Sequence, residues 1–380
     1  MAILTADETL RWGYTTGACA AAGVKAILRK ARGLSWEQVE LDALDGTRLH
    51  IPVKAVALGK DGCQVAEVVK FSGDDPDITN GTSIFTSLKP LQKPDLVFKA
   101  GPGVGKVTKA GLSLAVGEPA INPGPRQLIR QVLEEETGRA EGWEVTVSIP
   151  AGTELARKTL NPVLGIQGGI SVIGTTGVLR PMSEEAFRNS LVPQIQVARA
   201  AGFDRLIFVP GKIGEEAAVS WGLPGKALVQ TSNFIGFMLE AAAREGVREI
   251  LLFGHIGKLA KVAAGIFYTH NRIGDARLET LAAYAAREGL PREGVAVVLS
   301  ASTTEEALGV LENQGREFCR RVCNAIAARA SLRAERYLYG QVKIGTVLTA
   351  LDKSLLGLDS RAREIGGAYG WKLPGEKCIK

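Results

Sequence analysis

Three apolar runs constrain this 380-residue chain more than any other feature: "RLIFVP" at 205–210, "KALVQ" at 226–230 and "REILLFG" at 248–254. Each is too short for a typical buried helix, is rich in large aliphatic residues, and is followed by a stretch with helical spacing. Strands that are apolar without alternation are buried on both faces, and their regular exchange with helices predicts a parallel α/β sheet. The rhythm begins near Trp143, with "WEVTVSIP" as a first strand and a glycine-rich stretch, "LGIQGGISVIGTTGVLRP", behind it. The spacing predicts helices from Ser183 for about 18 residues to near Gly202, around Glu215, and from Ser232 to Glu245. Two more are expected in "STTEEALGVLENQGREFCRRVCNAIAARA", the first opened by Ser302 and Glu305 as a capping box.

The first 140 residues have another character. A small-residue helix is expected from Ala18 to Ala31. Short β-like runs follow, "EQVELDA", "RLHIPVKAVAL", "CQVAEVVKF" and "DLVFKA", several separated by Gly, Asp and Asn turns. "INPGPRQLIRQVLEEETG" reads as a Pro-led helix stopped by Gly138. The expected fold class is α/β (mixed α+β): a β-rich domain over 1–140 and a Rossmann-like parallel α/β domain over 141–335. A less regular segment over 336–380 is expected to pack back on the first domain.

Charge and cysteines bound the partners. The 46 basic and 40 acidic residues leave a net +6, spread without the Lys/Arg run of a nucleic-acid stripe. Such an excess mostly means a solvated surface and suits an acidic small molecule equally well. Cys19, Cys63, Cys319, Cys323 and Cys378 are odd in number, with no C-x-x-C, which favours free thiols in a reducing compartment over a disulfide framework or a zinc site. Asp7 and Glu8 stand where a signal peptide needs an apolar core, and no apolar run approaches the ~18 residues of a membrane span. A cytoplasmic protein is expected, with no bound metal, no nucleic acid and no membrane as partner, and with homo-oligomers allowed.

The segment "GHIGKLAKVAAGIFYTH" at 254–270 follows a strand directly. Leu259, Val262, Ala263 and Ile266 form its core face, which leaves Lys258 and Lys261 on the other. The start of such a helix, at the carboxyl end of a parallel strand, suits a phosphate or carboxylate; an ordinary βα loop remains the alternative. It is not a Walker A loop, because Leu252 and Leu259 stand at the first glycine and at the hydroxyl residue. His255 and His270 are fifteen residues apart and match no metal spacing.

"LVFKAGPGVGKVTKAG" at 96–111 carries Gly101, Gly103 and Gly105 after a strand, as a methyltransferase glycine loop does. Lys99 replaces the usual acid, however, and "KVTKAGLSL" is a poor helix start. A substrate-contacting turn and a plain hairpin both remain open. "GYTTGAC" at 13–19 and "IGTTGVL" at 173–179 echo each other in different contexts. Thr15 and Thr16 suit helix capping or contact with a flat ligand, and "GTTGVLRPMS" suits a hinge or a ligand floor. From the residues alone, the reading stops at an α/β enzyme with several glycine loops acting on an anionic small molecule.

"RWGYTTGACAAAGVKA", "AGPGVGKVTKAGL", "VSIPAGTELARKTLNPVLGIQGGISVIGTTGVLRPMSEEA" and "GHIGKLAKVAAGIFYTHNRIGDARLE" resemble, in order and spacing, the blocks of the CbiD family, the cobalt-precorrin-5B C1-methyltransferases of anaerobic cobalamin biosynthesis. The resemblance runs from residue 11 to about 279 and is loose beyond about 300. It implies S-adenosylmethionine as methyl donor, a cobalt-precorrin tetrapyrrole as acceptor, and a fold without the standard methyltransferase glycine motif. On that basis Gly174, Thr175, Thr176, Gly254, His255, Gly257 and Lys258 are expected at the donor, and Thr15, Thr16, Lys106, Arg180, Lys261 and His270 at the substrate. Thr176 and His255 are the candidates for a direct part in catalysis, His255 also as an axial ligand to the substrate's cobalt. A phosphate- or nucleotide-using enzyme and a non-catalytic corrinoid-binding protein are the alternatives.

Overall fold

The computed structural model describes residues 10–59, 62–181 and 183–373. The opening residues read as lacking a signal peptide, and Cys378, lie outside them. The chain forms two compact units, 1–184 and 185–380.

In the first unit, helix α1 (Thr16–Ala31) is followed by the hairpin β1 (Gln38–Asp42) and β2 (Arg48–Pro52). A five-stranded sheet comes next in the chain: β3 (Ala55–Leu58), β4 (Gln64–Val69), β5 (Ser83–Pro90) and β6 (Leu96–Ala100). After helix α2 (Pro123–Thr137), β7 (Trp143–Ser148) inserts between β5, antiparallel, and β6, parallel. The expected boundary at 140/141 is therefore corrected: the Trp143 strand completes the first unit's sheet, because Val145 and Val147 are buried in that core. The β5 strand went unread in the sequence because its inward row, Ile84, Thr86 and Leu88, includes a polar residue. Buried Thr86 is satisfied by donating to Ala20 O at 3.2 Å. Alanines and Gly23 let α1 lie close to the sheet; a Cβ on Gly23 would stand 2.9 Å from the Thr86 side chain.

The second unit opens with α3 (Glu184–Leu191) and α4 (Pro193–Ala200), where one helix was expected. Pro193 has no N–H for an intrahelical bond and starts the second helix instead. There follow β8 (Arg205–Val209), α5 (Lys212–Ser220), β9 (Leu228–Gln230), α6 (Ile235–Arg244), β10 (Glu249–His255) and α7 (Ile256–Ala264). Helices α8 (Arg277–Arg287), α9 (Arg292–Ser300), α10 (Thr304–Glu312) and α11 (Arg316–Tyr337) precede β11 (Lys343–Thr349), β12 (Leu355–Leu358) and α12 (Ser360–Gly367). The segment 336–380, expected to pack back on the first domain, instead supplies two strands of this unit's own sheet. The sheet order is β9-β8-β10-β11-β12, parallel except for the last pair. The predicted parallel strands are present, each buried along most of its length. Connections leave β8 toward β9 on one side, while β10 lies on the other, so a topological switch point falls between β8 and β10. No helix among the described residues is long and apolar enough to cross a membrane.

Candidate functional site

In the first unit the two Thr-Thr-Gly echoes meet. Gly13 and Tyr14 pair antiparallel with Leu179 and Val178. Thr15 caps α1, its hydroxyl accepting from Ala18 N at 3.2 Å, while its own N–H donates to Gly177 O at 2.9 Å. The Thr16 hydroxyl donates to Ile173 O (3.2 Å) and accepts from Ile173 N (2.9 Å). Gly174 stands at φ +139°, and a Cβ there would be 2.2 Å from Thr15 Oγ1. The Thr176 hydroxyl accepts from Val178 N at 3.2 Å. These hydroxyls are thus committed to building the loop. The polar groups it presents outward are Thr175 and Arg180, whose guanidinium sits 5.0 Å over the exposed Trp12 ring and 3.4 Å from Asp45. Trp12 and Asp45 were not singled out in the sequence. Lys106 is exposed and lies in a separate pairing with Gln167. Around it the glycine loop serves backbone packing: a Cβ on Gly101 would meet Ser148 Oγ at 2.0 Å, one on Gly103 Ile149 O at 1.8 Å, and one on Gly105 Ile166 Cγ2 at 2.4 Å.

In the second unit Gly254, His255, Gly257, Lys258, Lys261 and His270 gather around the carboxyl edge of the sheet and the loop fastened to it. Strand β10 passes into α7 without an intervening loop, and His255 is the cap: its Nδ1 accepts from Gly257 N at 3.2 Å. Its Nε2 lies 2.5 Å from Glu305 Oε1. An acceptor at Nδ1 places the proton on Nε2, as a donor to Glu305. Both ring nitrogens are thereby engaged, which leaves neither lone pair directed at a metal. Glu305 was assigned to a capping box in the sequence. In the structure the box is one residue on: the Thr303 hydroxyl accepts from Glu306 N (3.1 Å), and Glu306 accepts from Ser302 N (2.7 Å). The overlapping Thr303-x-x-Glu306 pattern was the available signal, and the shift frees Glu305 for His255.

Lys258 is half-buried and donates to Pro210 O at 3.1 Å, in the turn after β8. Lys261 departs from the expected outward face. It is 1% exposed, and its ammonium donates to Thr269 O (3.1 Å) and Asn271 Oδ1 (2.6 Å). Burial lowers the pKa of both lysines; Lys261 adds to the lowering at Lys258, and at Lys261 Asp275 opposes it while Arg277 reinforces it. Thr269 N also donates to Asn233 O at 2.9 Å, so the segment after α7 returns to the turn that follows β9. There Ser232 adopts φ +51°, a left-handed conformation uncommon outside glycine, and α6 starts at Ile235, three residues later than expected. His270 is exposed, its Nδ1 accepting from Arg272 N at 3.1 Å. The start of α5 lies directly on β10: a Cβ on Gly214 would be 2.8 Å from Phe253 O.

Two family models match the chain: CbiD over residues 4–181 and the CbiD C-terminal domain over 268–360. A protein of Moorella thermoacetica named cobalt-precorrin-5B C(1)-methyltransferase is 45% identical over 368 residues, 96% of this chain and 99% of that protein. The chain belongs to the CbiD family. Another relative carrying the same name, from Methanocaldococcus jannaschii, is 45% identical over 350 residues, 91% of this chain and 96% of its own length. Among solved structures, the cobalamin biosynthesis protein CbiD from Archaeoglobus fulgidus is 26% identical, covering 70% of this chain and 84% of that one, with a TM-score of 0.37. The CbiD match over 4–181 closes within three residues of the end of the first structural unit.

Proposed function

We propose that this chain transfers a methyl group from S-adenosylmethionine to ring carbon C1 of cobalt-precorrin-5B, giving cobalt-precorrin-6A in anaerobic cobalamin biosynthesis. The observation that carries this is the 45% identity, over 96% of the chain, to a protein named for C1 methylation of that substrate. Neither rival reading, a phosphate-handling enzyme or a corrinoid carrier, draws support from the relatives' names. The second unit is read as Rossmann-like, supported by four parallel strands with a switch point between β8 and β10. The free thiols of Cys19, Cys63, Cys319 and Cys323 agree with a reducing cytoplasm.

The sulfonium of the donor supplies an electrophilic methyl group together with a good leaving group. The protein's share is therefore alignment at near-attack distance and exclusion of water rather than strong general-base chemistry. The donor set at the carboxyl edge of the second sheet fits a zwitterionic ligand. Lys258 offers an ammonium with no carboxylate partner among the described residues, and Glu305 a carboxylate locked to His255. Two bonds hold His255 in one orientation, so the edge keeps its shape before a ligand arrives. The acetate and propionate side chains of a corrinoid precursor suit basic contacts, for which Arg180, Lys106 and His270 are the exposed candidates. Thr15, Thr16, Gly174 and Thr176 act behind Thr175 and Arg180 by fixing their loop. The cobalt belongs to the substrate.

Calorimetric titration with S-adenosylhomocysteine, alone and then with a cobalt corrinoid present, tests the reading. Micromolar binding is expected in at least one condition; no binding in either would contradict it.

A further inference from the structure

Four of the five tryptophans pack on the two hydrophobic cores: Trp36 and Trp143 in the first unit, Trp221 and Trp371 in the second. Trp12 does not. It is 46% exposed, although tryptophan is on average a highly buried residue. Nor does it stand on a loose end. Arg11 N donates to Asp74 Oδ2 at 2.8 Å, and Asp74 N returns a bond to Arg11 O at 3.0 Å. Gly73 fits so closely there that a Cβ on it would be 1.9 Å from Arg11 O. On the other side Gly13 and Tyr14 are paired with Leu179 and Val178. The backbone is thus fixed on both sides of an indole that is left in solvent. An aromatic surface ordered in advance loses little freedom when it takes up a ligand.

Its neighbour supplies charge. The Arg180 guanidinium lies 5.0 Å over the indole, and the side chain is 60% exposed. Its contact with Asp45 is a single one of 3.4 Å, at the outer limit of a hydrogen bond, and Asp45 is also held by Thr47 N at 3.1 Å. Most of the guanidinium fork is therefore free for a second carboxylate. Arg11, the other cation here, is spent on Asp74 through bonds of 3.1 and 2.7 Å. Exposed Ile173 and Thr175 stand on the same loop as Arg180.

We propose that Trp12 and Arg180 form a tetrapyrrole subsite on the first unit, with the ring system against the open part of the indole and a rim acetate or propionate on the guanidinium. This rests on the substrate named under the proposed function. The spacing selects the tetrapyrrole over the donor. A cation 5.0 Å from the indole centroid suits an acid attached to the stacked ring itself. In the donor, the ribose and the amino-acid chain separate the carboxylate from the purine.

The probes are cobyrinic acid, its heptamethyl ester and S-adenosylhomocysteine, titrated into the full chain. Trp12→Leu is expected to weaken the acid and the ester alike, by about tenfold, because stacking does not read the acid groups. Trp12→Phe keeps a ring and should recover most of that loss. Arg180→Gln is expected to weaken the acid at least about threefold and to leave the ester unchanged. Neither substitution should alter the affinity for S-adenosylhomocysteine measured with the corrinoid saturating. Both side chains are exposed and neither joins the core, so the variants should melt at the wild-type temperature. Unchanged acid affinity in Trp12→Leu, an equal loss of acid and ester in Arg180→Gln, or a loss confined to S-adenosylhomocysteine would overturn the proposal. Methyl transfer by the wild-type protein would still stand. Failure of the wild-type protein to bind either corrinoid would overturn the proposal and its substrate together.

Discussion

Lys70→Met is expected to lower the stability of the first unit by about 3 kcal/mol, near the lower end of the range for breaking a buried ion pair. The Lys70 side chain is almost fully buried, and its ammonium donates to Asp77 Oδ2 at 2.7 Å and to Ser72 Oγ at 2.6 Å. Methionine fills a similar volume but leaves the Asp77 carboxylate without its cation. Asp77 keeps partial exposure, which is why the upper end of the range is not reached. The loop so fastened is the one on which the site leans. Tyr14 N donates to Phe71 O at 3.0 Å, and a Cβ on Gly13 would be 2.4 Å from the same oxygen.

The effect has a signed pH dependence. Burial opposes ionisation of Asp77, but Lys70 and the Thr79 N–H outweigh it, and the carboxyl lies below its ordinary value of 3.8. A depressed folded-state value contributes stability that is present above the unfolded pKa and is lost as pH falls through the folded one. The gap between wild type and Lys70→Met should therefore be full near neutrality and should close as pH drops below 3.8. Calorimetric melts at neutral and acid pH check it, with a loss of roughly 6–12 °C expected at neutrality. A gap independent of pH would contradict the role given to Asp77.

Gly174→Ala should be nearly as damaging, costing about 2–4 kcal/mol and most of the activity. Two causes add. The backbone at φ +139° is strained for any side chain, and the new Cβ would stand 2.2 Å from the hydroxyl that caps α1. Gly46→Ala is the control, since Gly46 has φ +84° but nothing within 4 Å of a Cβ. It carries the conformational cost alone, about 1 kcal/mol. If denaturation showed the two variants equally stable, the contact between Gly174 and Thr15 would have no energetic weight.

The parts of the fold legible in the sequence were those in which one local force dominates. The apolar runs of β8 and β10 are buried on both faces and announce themselves, as do the proline at the start of α2 and the glycine at its end. What escaped depended on partners far along the chain. The β7 strand looks like the opening of a second domain until its pairing with β5 and β6 is seen. Thr86 reads as a surface residue until Ala20 O is found to accept from it. The loop residues themselves were legible at the site, but the roles of several were not. The hydroxyls of Thr15 and Thr16 turned inward, Lys261 went into the interior, and Glu305 crossed fifty residues to meet His255. Spacing along a helix shows which face a side chain takes, not which distant carbonyl will bind it.

The central claim is methyl transfer to C1, and product analysis tests it most directly. The purified protein would be incubated with cobalt-precorrin-5B and S-adenosylmethionine labelled in its methyl group, and the product isolated for NMR. The account predicts one labelled methyl group on ring carbon C1 and one equivalent of S-adenosylhomocysteine. Label on another ring carbon, or tetrapyrrole bound and recovered without label, would contradict it.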